Sequence, residues 1–555
     1  MTARRQTVLR GLTALAFVLS PMSGCTCAES TETPPPATVK PAAPAPAGIA
    51  FELAVRSPST LLTEIREAMA GPMLLLPKSV GGMAVNLFGL PVTAAELIDE
   101  KLPIVGAGLA VGKGGEATMH TAFAVHVRDG RRLVAHLTQG PDATFDVKVD
   151  GDLSWLTAKD NLRQARLPAT LAVVDNYLVI GDDERAVAGL GPYLATNLAR
   201  TEPSDADLVI TVKDAAPLAA HLERLKQPAK SLPLPPALTT VLDVPASLDA
   251  VVALVAQVGA AKLVVDLDPA AALVVDAELE AKGAVERAAL ATLPTVSPSR
   301  LLTLPSGTVG ALQWGEPITG RDDDAARRAR SIAATLSSTE DDEAALKSAL
   351  VATGQGRGER SLVALRCTGV GLTGMAEGDV RDEEVLRSGV FTLVALAERP
   401  SVKAKLTTER MKVDVSVGRA RHIPDDVHLV RLTKTPEEDE PPPPIDLRYV
   451  IGAERFYAAA GAESLAVLQH LHEPDPERQW ALSTPTIASA VARLGDSAWL
   501  AVVADPHALN ACLHGKPGGT FATPATFVVA PAPVGAKLRL ELAAGLLRVV
   551  GRELF

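Results

Sequence analysis

Three times along this chain a short apolar strand runs into a capping residue, a proline and the start of a helix. Phe51-Glu-Leu-Ala-Val-Arg-Ser57-Pro58 is the first, Asp207-Leu-Val-Ile-Thr-Val-Lys-Asp214-Ala-Ala-Pro217 the second, and Trp499-Leu-Ala-Val-Val-Ala-Asp505-Pro506 the third. Ser or Asp satisfies the unpaired N–H groups of a helix start, and Pro is tolerated in the first turn. Each unit therefore prescribes a strand followed at once by a helix. Elsewhere the apolar residues alternate: Thr121–Arg128 and Arg131–Leu137 flank Asp129-Gly130, and a second alternating pair lies within Lys262–Leu279. Both read as antiparallel hairpins. Short turns between strands and irregularly placed helices predict an α+β fold, predominantly antiparallel sheets with packed helices, rather than a doubly wound parallel sheet.

A chain of 555 residues exceeds what a single hydrophobic core supports. Leu171–Gly181 leads into a predicted helix over Asp183–Leu194, and Leu447–Ala460 leads likewise into Glu463–Leu471. The 262–290 hairpin and Ala-rich helix match Thr526–Glu553 in outline. These echoes predict two related halves, 49–300 and 301–555, with generic likeness between α+β units as the alternative. Exposed loops are expected at Ser337–Glu343, at Thr433–Pro444 with its run of prolines, and at Gly354-Gln-Gly-Arg-Gly358.

The apolar content is carried by Ala, Val and Leu, with only 3% aromatic residues. Aromatic scarcity argues against a base-stacking or sugar-stacking surface. The net charge is -11, and removing residues 1–24, with Arg4, Arg5 and Arg10 and no acid, gives -11 - 3 = -14. That balance opposes nucleic-acid binding and docking on an anionic membrane.

Residues 1–24 have the three zones of an export signal: a basic start, the apolar run Leu12–Leu19, and Ser20-Pro-Met-Ser-Gly24 before Cys25. The run is far shorter than the roughly 20 residues a membrane-spanning helix needs. Met22-Ser23-Gly24-Cys25 resembles the lipobox of bacterial lipoproteins, with Met22 where that family prefers Leu. The resemblance implies cleavage between Gly24 and Cys25 and a diacylglyceryl group on Cys25. Thr26 in place of aspartate implies sorting to the outer membrane, facing the periplasm. Arg4-Arg5-Gln6-Thr7-Val8-Leu9 also resembles a twin-arginine signal. Residues 25–48, rich in Pro and Ala, read as a semi-rigid tether. The body resembles uncharacterised envelope proteins of repeated strand–turn–helix units, a likeness that implies fold more than activity.

Of the four cysteines, Cys25 and Cys27 lie in the signal and tether region. Cys367 and Cys512 are either a disulfide pair, as an oxidising periplasm allows, or two separate buried thiols. Val111-Gly112-Lys113-Gly114-Gly115 lacks the spacing of a phosphate loop and reads as a hairpin turn. His120, His126 and His136 would meet across the first hairpin, where surface or core roles outweigh a metal site. His470 and His472 fall at a helix end, and Asp322–Asp324 and Glu340–Glu343 read as solvated helix ends without calcium-loop spacing. No catalytic motif, metal site or cofactor is expected. The sequence thus predicts a lipid-anchored envelope protein held to the membrane through Cys25, with a non-catalytic binding or scaffold role. Its partner would be a protein or an apolar ligand. Carriage of a lipid or lipoprotein, and a periplasmic hydrolase with dispersed residues, are the alternatives.

Overall fold

The computed structural model describes residues 41–69, 78–112, 118–140, 143–159, 169–202, 204–230, 255–268, 272–336, 339–434, 443–513 and 524–543. It divides into two compact units, one ending at Arg287 and including Val534–Ala536, the other comprising Ala288–Pro533 and Lys537–Ala543. The division lies upstream of the one expected after residue 300.

In the first unit β1 (Ile49–Val55) leads into α1 (Pro58–Met69), α2 (Val80–Phe88) and α3 (Val92–Ala95). The hairpin β2 (Ile104–Val111) and β3 (Thr118–His126) leads into α4 (Gly130–Thr138). A meander follows, β4 (Phe145–Asp150), β5 (Leu153–Ala158), β6 (Thr170–Val174) and β7 (Tyr177–Gly181), entering α5 (Glu184–Thr196). Then come β8 (Leu208–Val212), α6 (Ala215–Lys230), the hairpin β9 (Val258–Asp268) and β10 (Ala272–Ala281), and α7 (Ala284–Ala291). Every pairing is antiparallel, in the order β10-β9-β8-β1-β2-β3-β7-β6-β5-β4.

The second unit repeats this plan. β11 (Thr308–Gly315) leads into α8 (Arg321–Leu336) and α9 (Glu340–Gly356), and β12 (Arg357–Thr368) with β13 (Gly371–Val380) into α10 (Glu383–Ala395) and α11 (Pro400–Thr408). The meander β14 (Met411–Gly418), β15 (Val427–Lys434), β16 (Ile445–Ile451) and β17 (Arg455–Gly461) enters α12 (Ser464–His472), α13 (Trp480–Ser483) and α14 (Pro485–Arg493). β18 (Leu500–Ala504), α15 (Pro506–Leu513), β19 (Ala525–Ala532) and β20 (Gly535–Ala543) complete it. The order is β20-β19-β18-β11-β12-β13-β17-β16-β15-β14, again all antiparallel in the registers resolved. The two halves are therefore related strand for strand, β1–β10 matching β11–β20, on an α+β fold.

The small side chains set how close the layers come. On one face of the first sheet Ala107, Ala122, Ala124 and Ala172 are all fully buried beneath α5. That helix faces them with Ala186, Leu190 and Leu194, also fully buried. Short methyl groups on the strands let the helix descend until its leucines fill the remaining space, each worth about 2 kcal/mol of burial. The opposite face packs Leu62, Met83, Leu133 and Leu137 from the other helices against Ile104, Val125, Leu178 and Ile180. The second unit uses the same chemistry: Ala311, Ala364, Ala459 and Ala501 lie under Val467, Leu468, Leu471 and Trp480.

The three strand–cap–helix units and the Lys262–Leu279 hairpin form as read. The Asp129-Gly130 hairpin does not. Asp129 Oδ1 accepts from Arg132 N at 3.0 Å and starts α4, and β3 pairs instead with β2 and β7. Leu133 and Leu137 stand one helical turn apart and are fully buried, while Ala135 between them, which a strand would turn to the same face, is only half-buried. Nor is Gly354–Gly358 a loop, since α9 ends at Gly356 and β12 begins at Arg357. Glu340–Glu343, expected in a loop, form the first turn of α9 behind a Thr339/Asp342 capping box. Most of Thr433–Pro444 and the helix expected up to Glu553 lie outside the described residues.

Gly130 is fixed by close approach. A Cβ there would lie 1.9 Å from the Asp175 carbonyl oxygen in the β6–β7 turn, whose Asn176 Oδ1 accepts from Gly130 N at 3.1 Å. Gly130→Ala should lower unfolding free energy by about 2 kcal/mol, read as an earlier denaturant midpoint, while Gly369→Ala, with open space around it and no positive φ, should cost far less.

Candidate functional site

The second unit carries an open cleft of about 580 Å³, lined by Ile318, Thr319, Asp322, Asp323, Gln355 and Arg381 among others. It lies where α8 begins, where α9 ends and where α10 begins, so three helix termini supply its wall. Two of its charged side chains have structural partners. Asp382 Oδ1 caps α10 by accepting from Val385 N at 3.0 Å, and Gln355 Nε2 reaches both Asp322 carboxylate oxygens at 3.4 Å.

Beneath the cleft Arg321 holds the strand and helix ends together. It is 5% exposed. Its guanidinium donates to five backbone carbonyls: Pro317 at 3.2 Å, Gly354 and Arg357 at 2.7 Å, and Glu316 and Gly358 at 2.8 Å. Helix ends leave carbonyls without partners, and one rigid five-donor fork satisfies those of α9 together with the approaching strands. Burial lowers the Arg321 pKa, with Arg357 adding to the effect and Glu316 opposing it. In the sequence the neighbouring Asp322–Asp324 stand out and Arg321 does not. A lone arginine after Gly320 carries no motif, so no signal marked it.

A second buried charge lies on β13. Glu377 accepts from Arg300 Nε at 2.7 Å and Arg300 Nη2 at 2.5 Å, and Arg455 Nη1 stands 3.6 Å away. Arg300 also reaches the Leu471 carbonyl at 3.3 Å, tying the last turn of α12 to the sheet. At the start of α9, Asp342 accepts from Arg399, Ser401 and Thr339, and the Ser401 and Thr339 hydroxyls hold its carboxyl below the usual range. Asp342 is thus buried, while the other acids of both runs sit in exposed or half-exposed first turns, as read.

Cys367, near the end of β12, and Cys512, on α15, are joined by a disulfide with Cα atoms 6.1 Å apart. It closes a segment of 145 residues and clamps α15 against the sheet, worth about 5 kcal/mol by chain entropy. Gly24 and Cys25, the signal-cleavage and lipidation pair, lie outside the described residues, as does Lys113. Gly112 ends the β2 side of the hairpin with φ 110°.

The three histidines of the first unit do not converge. His136 is on α4, and His126 Nδ1 lies 3.7 Å from Asp99. His120 Nδ1 instead meets Asp183 Oδ2 at 2.8 Å, and with Asp182 these ligand atoms lie within 4.8 Å of one another. Each is engaged by the protein. Asp183 Oδ1 caps α5 through Ala186 N at 2.8 Å, Asp182 Oδ2 accepts from Thr121 N at 3.1 Å, and His120 Nε2 faces Thr118 Oγ1 at 3.2 Å. The cluster pins β3 to the start of α5. A divalent cation would have to displace the His120–Asp183 pair.

His470 and His472 occupy the last turn of α12, as the sequence reading placed them. His470 Nε2 lies 3.0 Å from the Thr303 carbonyl, and burial lowers its pKa against the opposing pull of that carbonyl. His428 stacks on Tyr449 at 4.9 Å and is likewise lowered by burial, with Arg387 adding to the effect.

No protein-family model matches this chain, and no curated protein matches it. A solved structure of TP0453 in its crystal form III is similar at 11% identity and a TM-score of 0.21, covering 45% of this chain and 97% of that one. A likeness that slight bears on neither fold nor function. No described helix is long and apolar enough to cross a membrane.

Two outcomes follow from these contacts. Arg321→Ala leaves five carbonyls, all buried or partly buried, without their donor and should cost about 3 kcal/mol of unfolding free energy; an unchanged denaturant midpoint would refute the anchoring role. His428 and His470 bind protons less readily folded than unfolded, so stability is complete above about pH 6.5 and falls as the solution is acidified below it. Denaturant midpoints between pH 7.5 and 5.5 should decline, and His470→Gln should flatten the slope.

Proposed function

We propose that this chain is an exported, lipid-anchored cell-envelope protein with a non-catalytic binding or scaffold role. The reading is carried by the order of its N-terminal features: a signal, a lipobox-like Met22-Ser23-Gly24-Cys25 and a Pro/Ala-rich tether ahead of the folded body. The Cys367–Cys512 cross-link supports it, because such bonds persist in oxidising compartments. A non-catalytic role is supported by the cleft, where Asp382 and Asp322 serve as helix cap and side-chain partner rather than as an acid–base pair. Thr26 after the lipidated cysteine favours the outer membrane, with the body facing the periplasm.

Carriage of an apolar ligand is the second reading, and one observation favours it. Val363 and Leu365 on β12 and Leu372 on β13 share one face of the sheet and are 37%, 37% and 39% exposed. A soluble surface rarely leaves neighbouring aliphatic side chains uncovered.

The anchor is tested by expressing the full chain and Cys25→Ser in a bacterial host supplied with a labelled fatty acid. The native chain should carry the label and sediment with membranes, and density-gradient separation should place it in the outer membrane. Cys25→Ser should lose the label and appear in the soluble envelope fraction; a variant still membrane-bound would overturn the reading.

A further inference from the structure

Each unit ends its sheet on an uncovered edge. Among the described residues β4 pairs only with β5, and β14 only with β15. Asp146–Asp150 of β4 are all exposed, as are Lys412 and Asp414–Gly418 of β14. Val147 and Val149 are 40% and 69% exposed, and Val415 and Val417 are 49% and 57%. Natural sheets blunt such edges with proline, bulges, very short strands or charged side chains, because free N–H and C=O groups recruit another strand; here each edge carries charges, Asp146, Lys148 and Asp150 on β4 and Lys412 and Asp414 on β14, so a partner strand must match them. Neither strand contains a proline, and both ladders run without a shift in register.

The direction of the free groups can be followed strand by strand. Lys159 N donates to Thr144 O at 3.0 Å, so even-numbered residues of β4 bond β5 and odd-numbered ones face outward. In the other unit Gly452 N donates to Arg455 O at 2.9 Å, which turns even residues of β16 toward β17. Carried through the β15–β16 and β14–β15 registers, this turns odd residues of β14 outward. The side chains match as well. Phe145, Val147 and Val149 share one face of β4, with Asp146, Lys148 and Asp150 on the other. On β14 the apolar face is Met411, Val413, Val415 and Val417, and the polar face is Lys412, Asp414 and Ser416.

We infer that β4 of one chain adds, antiparallel, to β14 of a second copy of this chain. The register sets Val147 opposite Val415, Val149 opposite Val413 and Phe145 opposite Val417, all with outward-facing backbone groups. It also sets Lys148 opposite Asp414, Asp150 opposite Lys412 and Asp146 opposite Ser416, with no like charges facing. A shift of two residues one way opposes Asp150 to Asp414; the other way it opposes Lys148 to Lys412 and Asp146 to Asp414. Among the antiparallel registers that pair five or more residues with outward groups facing, this one alone satisfies apolar face and charges together, since like charges directly opposite are destabilising. The pairing is head-to-tail, so each added copy leaves one β4 and one β14 edge free for the next. The occupant is a second copy because each edge supplies the pattern that the other requires. The inference goes beyond the proposed scaffold role and does not depend on the anchor, so its failure leaves the Cys25 test intact.

Sedimentation velocity on the full-length chain in detergent should show concentration-dependent association that weakens with salt. Lys148→Glu or Asp414→Lys alone should weaken association about tenfold, and the two substitutions in one chain should restore it. Mixing Asp146→Cys chains with Ser416→Cys chains under mild oxidation should yield, by mass spectrometry, a disulfide-linked peptide joining residue 146 of one chain to residue 416 of another. A native chain monomeric at every concentration, single reversals without effect, or residue 416 linked only to itself would each overturn the inference.

Discussion

The close seating of helices on an alanine-lined sheet is the constraint on which this architecture depends. Ala107, Ala122, Ala124 and Ala172 in one unit, and Ala311, Ala364, Ala459 and Ala501 in the other, present flat strand surfaces. A helix descending onto such a surface must bring the bulk itself, and Leu190 and Leu194 on α5 and Leu468 and Leu471 on α12 do so. A core of many small contacts gains from dispersion as much as from area, and it tolerates little enlargement. Gly106 and Gly108 follow the same rule, because a Cβ at either would overlap the Phe123 or Phe51 ring.

Where the second unit departs from apolar packing, it uses fully bonded charges. Arg321 serves five carbonyls, and Glu377 is held between Arg300 and Arg455. Buried charges are costly unless their hydrogen-bonding capacity is filled. Their value is positional: they hold helix ends to strand ends in places where no apolar side chain could satisfy free carbonyls. The cleft above Arg321 is therefore built from caps and termini. The disulfide does similar work near the other end of β12 by fastening α15 to it.

Much of the fold was legible because it rests on local chemistry. Ser57-Pro58, Asp214 and Asp505-Pro506 each mark a strand-to-helix transition within a few residues, and the meanders leading into α5 and α12 follow from alternation and turn residues. The Asp129-Gly130 error has a physical source. Asp-Gly favours a hairpin turn, but the same Asp caps a helix, and the choice fell to the burial of Leu133 and Leu137 and to β7 occupying the edge of β3. The site was less legible. Arg321 and Glu377 belong to no motif, and their importance arises only from the carbonyls and guanidinium groups brought to them from distant positions.

By itself the sequence determined the α+β class and carried an echo between its halves, because these depend on residue order over short spans. It also held Cys367 and Cys512 as an open pair. Only tertiary structure decided that they meet, that ten strands in each half follow one antiparallel order, and that β4 and β14 are left as edges. Those outcomes depend on which strands outcompete others for backbone partners, and that competition is settled across hundreds of residues rather than within a local pattern.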